Sequence, residues 1–429
     1  MAAQHDGGSP VAALVMVGNE LLYGETVDTN AAWIARTLSS LGVPVVRKLT
    51  VGDVTTEIQD AVRAAMSAAD LVIVSGGLGP TADDLTKPAV AELLGRKLVL
   101  HQDLLGRLEA YFRSRGFREM PALNRTQAEI PEGATILRNS QGTAPGLALE
   151  SKDSWVVMVP GVPKEMRAIF EGDLEALIQE RFGGRARKLY HRTIHTTGIA
   201  ESRLAELVDA ALPPDMGPVT LAYLPDLRGV DLRFSARGVS GTEASEWLGR
   251  VEAAIAPVVS PWRFEAESGD IAEALKEALV KAGKQLAVAE SCTGGLLAKR
   301  ITDQPGCSEI FVGGIVAYAN EVKVAQLGVT PQDLAKHGAV SEPVVRQMAR
   351  GVADRFGAAA GIGITGIAGP GGGTPDKPVG TVWRAICVDG EVEARLLTFV
   401  GDREAIRERA AQEALAALYR RVVGTGAGA

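Results

Sequence analysis

Three times along this chain a short apolar run stops at a glycine-rich turn and gives way to an amphipathic helix. "VAALVMVG" (11–18) and "DLVIVSGG" (70–77) end this way in the first third, and "QLAVAESCTGG" (285–295) does so in the last. Runs that short and that apolar read as strands buried on both faces, the mark of a parallel sheet covered by helices. The segments between them keep the matching pattern. "NAAWIARTLSSLG" (30–42) is an amphipathic helix closed by glycine, and "TTEIQDAVRAAMSAA" (55–69) is one opened by Thr55 or Thr56. The alternation sets the class as α/β, with two three-layer parallel-sheet units.

A chain of 429 residues is too long for one core, and 46% hydrophobic residues supply ample material for several. The first unit closes with "SWVVMVPGVPKEMRAIF" (154–170), so residues 1–170 form one domain. Residues 171–258 change texture: "RKLYHRTIHTTG" and "VDLRFSARG" read as strands, "AESRLAELVDAAL" and "TEASEWLGRVEAAIAPVV" as helices, together a small α+β connector. A hinge at 259–267 leads into the second α/β unit, 268–422, and the tail "GTGAGA" is expected to be disordered.

Composition excludes several functions. The formal charge of −7 gives no bulk attraction to nucleic acid or anionic membranes. Cys292, Cys307 and Cys387 are odd in number and lack metal-ligand spacing, so neither a disulfide framework nor a zinc site is expected. The start, "MAAQHDGGSP", has no basic region leading into an apolar one, and no apolar run is long enough to span a bilayer. A reducing cytoplasm is the expected location.

Ligands of open parallel sheets bind beyond the carboxyl ends of strands, where turns enter helix N-termini. "AESCTGG" (289–295) lies at such a point. Ser291 and Cys292 are candidate nucleophiles, and the amides around Gly294 and Gly295 suit a phosphate or an oxyanion. The same stretch also reads as a capped turn with no chemistry. A serine needs a base. Of the histidines His5, His101, His191, His195 and His337, only the last falls in this unit, in the loop-like "LAKHGAVS". A lysine can serve if burial brings its pKa from about 10.4 toward neutrality. "GGIVAYANEVK" (313–323) offers Lys323, with Tyr318 to relay a proton or orient it, although each alone reads as a packing or surface residue. A second glycine loop, "GIGITGIAGPGGGTPDKPVG" (361–380), carries Thr365 and Gly369.

These segments, with "GVTPQDLAKHGAVSEPV" (328–344) and "GDREAIR" (401–407), resemble the C-terminal domain of the CinA (competence/damage-inducible protein A) family. The likeness covers nearly all of 268–420. Members of that family include nicotinamide-mononucleotide deamidases. The resemblance implies Ser291 as nucleophile, Lys323 and Tyr318 as its partners, and Thr365 at the amide or oxyanion position. Gly294, Gly295 and Gly369 would line the substrate site. Arg403 or Arg407 would grip the 5′-phosphate, as arginine pairs bidentately with phosphate oxygens, though both also read as a solvated helix face. Cys292 becomes a small buried residue. The implied reaction is hydrolysis of the nicotinamide carboxamide, with no cofactor at this site.

The first unit has its own candidate site. "VIVSGGLGPTADDLTK" (72–87) puts Gly76 and Gly77, able to approach a phosphate, ahead of Asp83 and Asp84, hard oxygen ligands for a divalent ion or partners for a heterocycle. A glycine turn before a capped helix is the plainer reading. "GNELLYGETVDTN" (18–30) adds Glu20 and Asn30, and "GTAPGLAL" and "VPGVPKEM" add turns that could line the same crevice. This set, from about 11 to 170, resembles the molybdopterin-binding-like domain at the N-terminus of CinA proteins. In that branch the domain is associated with ADP-ribose pyrophosphatase activity. The resemblance implies that Asp83 and Asp84 hold Mg, Mn or Co, that Lys87 neutralises phosphate charge, and that Glu20 and Asn30 touch substrate or metal. Asn19 stands where the family more often has aspartate.

The connector is similar to the KH-like segment of full-length CinA, read here as a spacer and dimer element. Its "RFGGRARK" (181–188) reads as a solvated loop rather than an RNA clamp. The expectation is a cytoplasmic homodimer acting on nicotinamide mononucleotide and ADP-ribose, with no membrane or nucleic-acid partner. Two rivals stand beside it: a first domain that only binds a pterin or nucleotide, and a competence or DNA-repair interaction protein.

Overall fold

The computed structural model describes residues 8–152, 154–186 and 188–424; the tail expected to be disordered lies, past Gly424, outside the described residues. The chain divides into two compact units. The first runs to Tyr190 and takes in Ala236–Ser245; the second holds His191–Ser235 and the chain from Glu246 onward.

The first unit is built on β1 (Ala12–Val17), β2 (Val45–Val51), β3 (Leu71–Ser75), β4 (Thr135–Leu137), β5 (Gly146–Glu150) and β6 (Trp155–Val159), in the order β2-β1-β3-β6-β5-β4. Its helices are α1 (Thr29–Ser40), α2 (Thr55–Met66), α3 (Thr86–Leu93), α4 (Gln102–Ser114), α5 (Pro163–Ile169) and α6 (Glu175–Phe182). The alternation along β1 sorts the two cores. Leu14 and Met16 face α1 and α5, packing with Ile34, Leu38 and Ile169. Val15 and Val17 face the other layer, with Ile58, Val62 and Val90.

The expected parallel sheet holds for β2, β1, β3 and β6, but β5 pairs antiparallel with both β6 and β4. The connections at 138–145 and 151–154 are too short for a parallel crossover, which needs a dozen residues or more. The first unit also runs past the boundary expected at 170. Phe170, Leu174, Ile178 and Phe182 recur every fourth residue and are all buried in its core, so the helical run to Phe182 belongs to it.

The connector forms a four-stranded sheet of β7 (Leu189–Thr196), β8 (Val219–Pro225), β9 (Val230–Arg237) and β10 (Arg263–Phe264), in the order β8-β9-β7-β10. Its helices are α7 (Glu201–Ala211) and α8 (Gly241–Val259). The hinge expected at 259–267 is therefore in part a strand: Arg263 and Phe264 pair with Thr196 and His195.

The last sheet comprises β11 (Leu286–Glu290), β12 (Phe311–Val316), β13 (Ala360–Gly366), β14 (Thr381–Val388) and β15 (Glu391–Thr398), ordered β12-β11-β13-β14-β15. Helices α9 (Ile271–Ala282), α10 (Leu296–Thr302) and α14 (Arg403–Val423) cover one face of it. Helices α11 (Asn320–Leu327) and α13 (Glu342–Phe356) cover the other, while α12 (Pro331–His337) leads into α13. Here too the parallel part is the first three strands. β14 and β15 run antiparallel, joined by a tight turn with positive φ at both Asp389 and Gly390.

Both α/β sheets open alike. The chain moves from its first strand to one side, then crosses back to the other, leaving a crevice at the carboxyl ends of β1 and β3, and of β11 and β13. Among the described residues, no helix is long and apolar enough to cross a membrane.

Candidate active sites

Ser291 follows β11 directly, at the second of these crevices. Its amide donates to the Ile364 carbonyl of β13 at 3.0 Å, which fixes the start of the turn against the neighbouring strand. The turn then needs two left-handed residues, and Gly294 and Gly295 supply them with φ of +60° and +95°. The expectation that its amides stand open to a ligand is only partly met. Glu290, 1% exposed, bends its carboxylate into the turn and accepts from Gly295 (3.0 Å), Leu297 (3.0 Å) and Ala298 (2.8 Å). The entrance to α10 thus carries an anion supplied by the chain itself. The Gly294 amide is spent on the Ser291 carbonyl, which leaves those of Cys292 and Thr293 without a partner among the described residues.

Glu290 is the residue that sequence reading missed. It stands as the last residue of an apolar strand, and its partners are main-chain groups five to eight residues on, which a sequence does not display.

Lys323 lies on α11 and is 1% exposed. Its Nζ donates to the carbonyls of Ala317 (2.8 Å) and Tyr318 (3.0 Å). Burial pushes the amine below its ordinary value, against the opposing pull of Cys292 and Glu321. Cys292 is packed in the second unit's core, and burial drives its thiol up to about 12. A sulfur so placed is a poor thiolate at neutral pH. Among the described residues the Ser291 hydroxyl has no hydrogen-bond partner, so no bond joins it to Lys323.

Tyr318 departs from the expected role. It meets Lys323 through its main-chain carbonyl, while the ring is 61% exposed and its hydroxyl accepts from Arg403 Nη2 at 3.2 Å. Thr365 is buried and gives its proton to the Ala339 carbonyl at 2.9 Å, so it holds the loop after α12 rather than aiming a donor at the turn. The two arginines separate. Arg407 clamps the Thr293 carbonyl through Nε (3.2 Å) and Nη2 (2.6 Å) and is part of the turn's own support. Arg403 is exposed and reaches the Gly369 carbonyl at 2.7 Å as well as Tyr318, with further donors open to solvent.

At the first crevice the structure forms a cleft of about 540 Å³ whose walls include Gly76, Gly77, Asp83, Asp84 and Glu20. A Cβ on Gly76, where φ is +112°, would lie 2.1 Å from the Val17 carbonyl oxygen, so only glycine permits this passage. Asp53 and Glu165 also line it and went unread in the sequence. Asn19, in the place of the expected aspartate, has its amide held by Asp53 at 3.1 Å.

A resident divalent ion does not fit the aspartate pair. Both oxygens of Asp84 are taken by the loop itself: Oδ1 accepts from the Gly79 amide (2.7 Å), and Oδ2 from the Thr81 amide (2.8 Å) and hydroxyl (2.5 Å). Among the described residues no three His, Cys, Asp or Glu side chains cluster so as to hold a metal. Lys87 is likewise not at the cleft wall. It is buried, donates to the Thr126 carbonyl, and has its pKa pushed down to about 8 chiefly by burial. Asn30 acts one layer back, donating to the carbonyl of the lining residue Gly161 at 2.7 Å.

Three family profiles match the chain: "CinA C-terminal domain" over 268–422, "Probable molybdopterin binding domain" over 13–179, and "Damage-inducible protein CinA KH domain" over 191–264. A CinA-like protein of Gemmatimonas aurantiaca is 46% identical over 95% of both chains. A CinA-like protein of Desulfovibrio desulfuricans is 42% identical over 96% of both. A solved structure of a CinA protein of unknown function from Thermoplasma acidophilum is 38% identical and covers 40% of this chain and 98% of its own, with a TM-score of 0.37. With its three domains and with relatives matched over 95% or more of both chains, the chain belongs to the CinA family.

Proposed function

We propose that the second unit hydrolyses the carboxamide of nicotinamide mononucleotide. The observation that carries this reading is the setting of Lys323. A neutral amine has two N–H bonds and one lone pair, and here two carbonyls stand ready to accept those two protons. Burial favours that neutral form. The lone pair is then the remaining direction of the tetrahedral nitrogen.

In this mechanism the Ser291 oxygen attacks the carboxamide carbon as its proton passes to Lys323. The oxyanion forms against the free amides of Cys292 and Thr293. As the intermediate collapses, the nitrogen takes the proton from Lys323 and leaves as ammonia. Water, giving its proton to the same amine, then cleaves the acyl ester to nicotinate mononucleotide and restores the serine. Arg403 is the arginine assigned to the substrate phosphate, because Arg407 is committed to Thr293. The missing Ser291–Lys323 hydrogen bond is formed on substrate binding, as catalytic hydrogen bonds often tighten only then.

The test is ammonia release by the purified full chain given nicotinamide mononucleotide in the presence of a chelator. No release by the intact chain would refute the assignment.

A second reading concerns the first unit, where hydrolysis of ADP-ribose to AMP and ribose 5-phosphate is the activity proposed. The glycine-walled cleft at a switch point favours a phosphate-bearing nucleotide. Because the aspartate pair does not fit a resident ion, any divalent cation the reaction needs would arrive with the substrate rather than reside in the protein. AMP release that requires added divalent ions supports this. Binding of ADP-ribose without cleavage under any ion would leave a nucleotide-binding domain instead.

A further inference from the structure

A second cavity of about 460 Å³ adjoins the glycine cleft in the first unit, and Thr143 lines both. We propose that this cavity receives the base of a nucleotide whose phosphates lie in the glycine cleft; the inference rests on reading that cleft as a phosphate site.

The wall between the two is preformed. Asn139 donates through Nδ2 to the Ala144 carbonyl (2.8 Å) and to Glu165 Oε2 (2.5 Å), and its Oδ1 accepts from the Gln141 amide (2.9 Å). Gly142 passes so close to Glu165 that a Cβ there would lie 2.1 Å from Oε2. The loop carrying Thr143 is thus held at both ends and in the middle, and no closure is needed to make the cavity.

Its lining has the character of a small-molecule pocket rather than a packing gap. Leu104, Leu108, Ile136 and Pro145 give an apolar floor. Around them the Arg107 guanidinium and the hydroxyls of Tyr111, Ser140 and Thr143 make no hydrogen bond or ion pair among the described residues. Mostly apolar walls with a few unpaired polar groups are what a planar heterocycle with a polar edge requires. One unpaired guanidinium, with Arg138 also at the wall but turned to Asp173 at 3.5 Å, suits stacking on such a ring or bonding its edge, whereas a phosphate would call for more free donors. The amides of Gly77, Leu78 and Gly161, which line the cleft next door and have no partner among the described residues, supply those. One molecule with a flat, weakly polar end and a phosphorylated end matches the two cavities in order.

Calorimetric titration of the full chain with ribose 5-phosphate, AMP and ADP-ribose tests this. AMP is expected to bind at least about tenfold tighter than ribose 5-phosphate. Ala168→Trp, which fills the cavity from α5, is expected to erase that difference while leaving ribose 5-phosphate binding within about twofold. Arg107→Ala, at an exposed position, is expected to narrow it. Equal affinity of AMP and ribose 5-phosphate in the unaltered chain overturns the base pocket and leaves the phosphate cleft standing. Wild-type AMP affinity in both variants overturns it too. Failure of all three ligands to bind removes the cleft reading, and this inference falls with it.

Discussion

The two glycine turns of this molecule use one device in two environments. Each lies at the switch point of a sheet, and each is held by a carboxylate that the chain folds back onto its own amides. In the first unit the carboxylate is Asp84, at the open rim of a cleft, bonded to Gly79 and Thr81. In the second it is Glu290, sealed from solvent and bonded to Gly295, Leu297 and Ala298. An open turn leaves charged groups hydrated, as suits a ligand that brings its own charges. A dry turn, with Lys323 buried nearby, is where an amine can give up its proton. The difference between the turns is therefore solvent access rather than backbone design.

The sharpest way to break this comparison is to ask which side chain does covalent work. Ser291→Ala is expected to reduce ammonia release from nicotinamide mononucleotide by at least roughly 10⁴-fold. Cys292→Ala should stay within about tenfold, because its thiol is held protonated by burial. Steady-state rates with matched circular dichroism spectra decide it; a larger loss in the cysteine variant would reverse the roles.

Next in size is the base. Lys323→Arg keeps the charge but cannot deprotonate, and is expected to cost roughly 10³-fold. In the unaltered enzyme the rate should climb with pH as the neutral amine becomes populated, levelling off below the ordinary lysine value because burial lowers its pKa. A flat profile between pH 6 and 10 would remove Lys323 from the role.

How much of this was legible beforehand follows from what each residue touches. The strands and turns at Val17, Ser75 and Glu290 could be read because apolar runs and glycines are properties of side chains. The staples could not. Asp84 looked like a metal ligand and Glu290 like a strand end because their partners are main-chain amides, and every residue but proline has one. The antiparallel edges were hidden for a related reason: β4, β5, β14 and β15 differ from parallel strands in the length of their connections more than in their residues. Tyr318 was singled out for its phenol, whereas the group that meets Lys323 is its carbonyl.

The staples themselves give the third prediction. Glu290→Gln turns a charged acceptor into an amide whose NH₂ faces other donors in a dry site, and should destabilise the second unit by about 3 kcal/mol. Asp84→Asn, where water can replace the lost bonds, should cost the first unit about 1 kcal/mol. Thermal or urea midpoints for each unit, followed by fluorescence, measure the pair. Equal losses would mean that burial is not what separates the two turns.

The smallest effect tests whether a buried lysine must be a working one. Each unit has such a residue, but Lys87 lies behind the cleft, tied to Thr126, with its pKa lowered from 10.5 to about 8. That shift corresponds to about 3 kcal/mol against folding. The full cost applies below pH 8, where the folded protein must carry the charge, and it fades as pH rises toward 10.5 and the unfolded chain also loses its proton. Lys87→Met removes the cost but also a charged hydrogen bond, so the net gain at pH 7 should be about 1 kcal/mol, shrinking to nothing near pH 10. A gain with that pH dependence, and with ADP-ribose binding unchanged, makes Lys87 a structural residue. If the variant instead loses ADP-ribose affinity, the ammonium reaches the ligand in the bound state, and the contrast drawn between the wet and the dry turn would no longer separate support from chemistry.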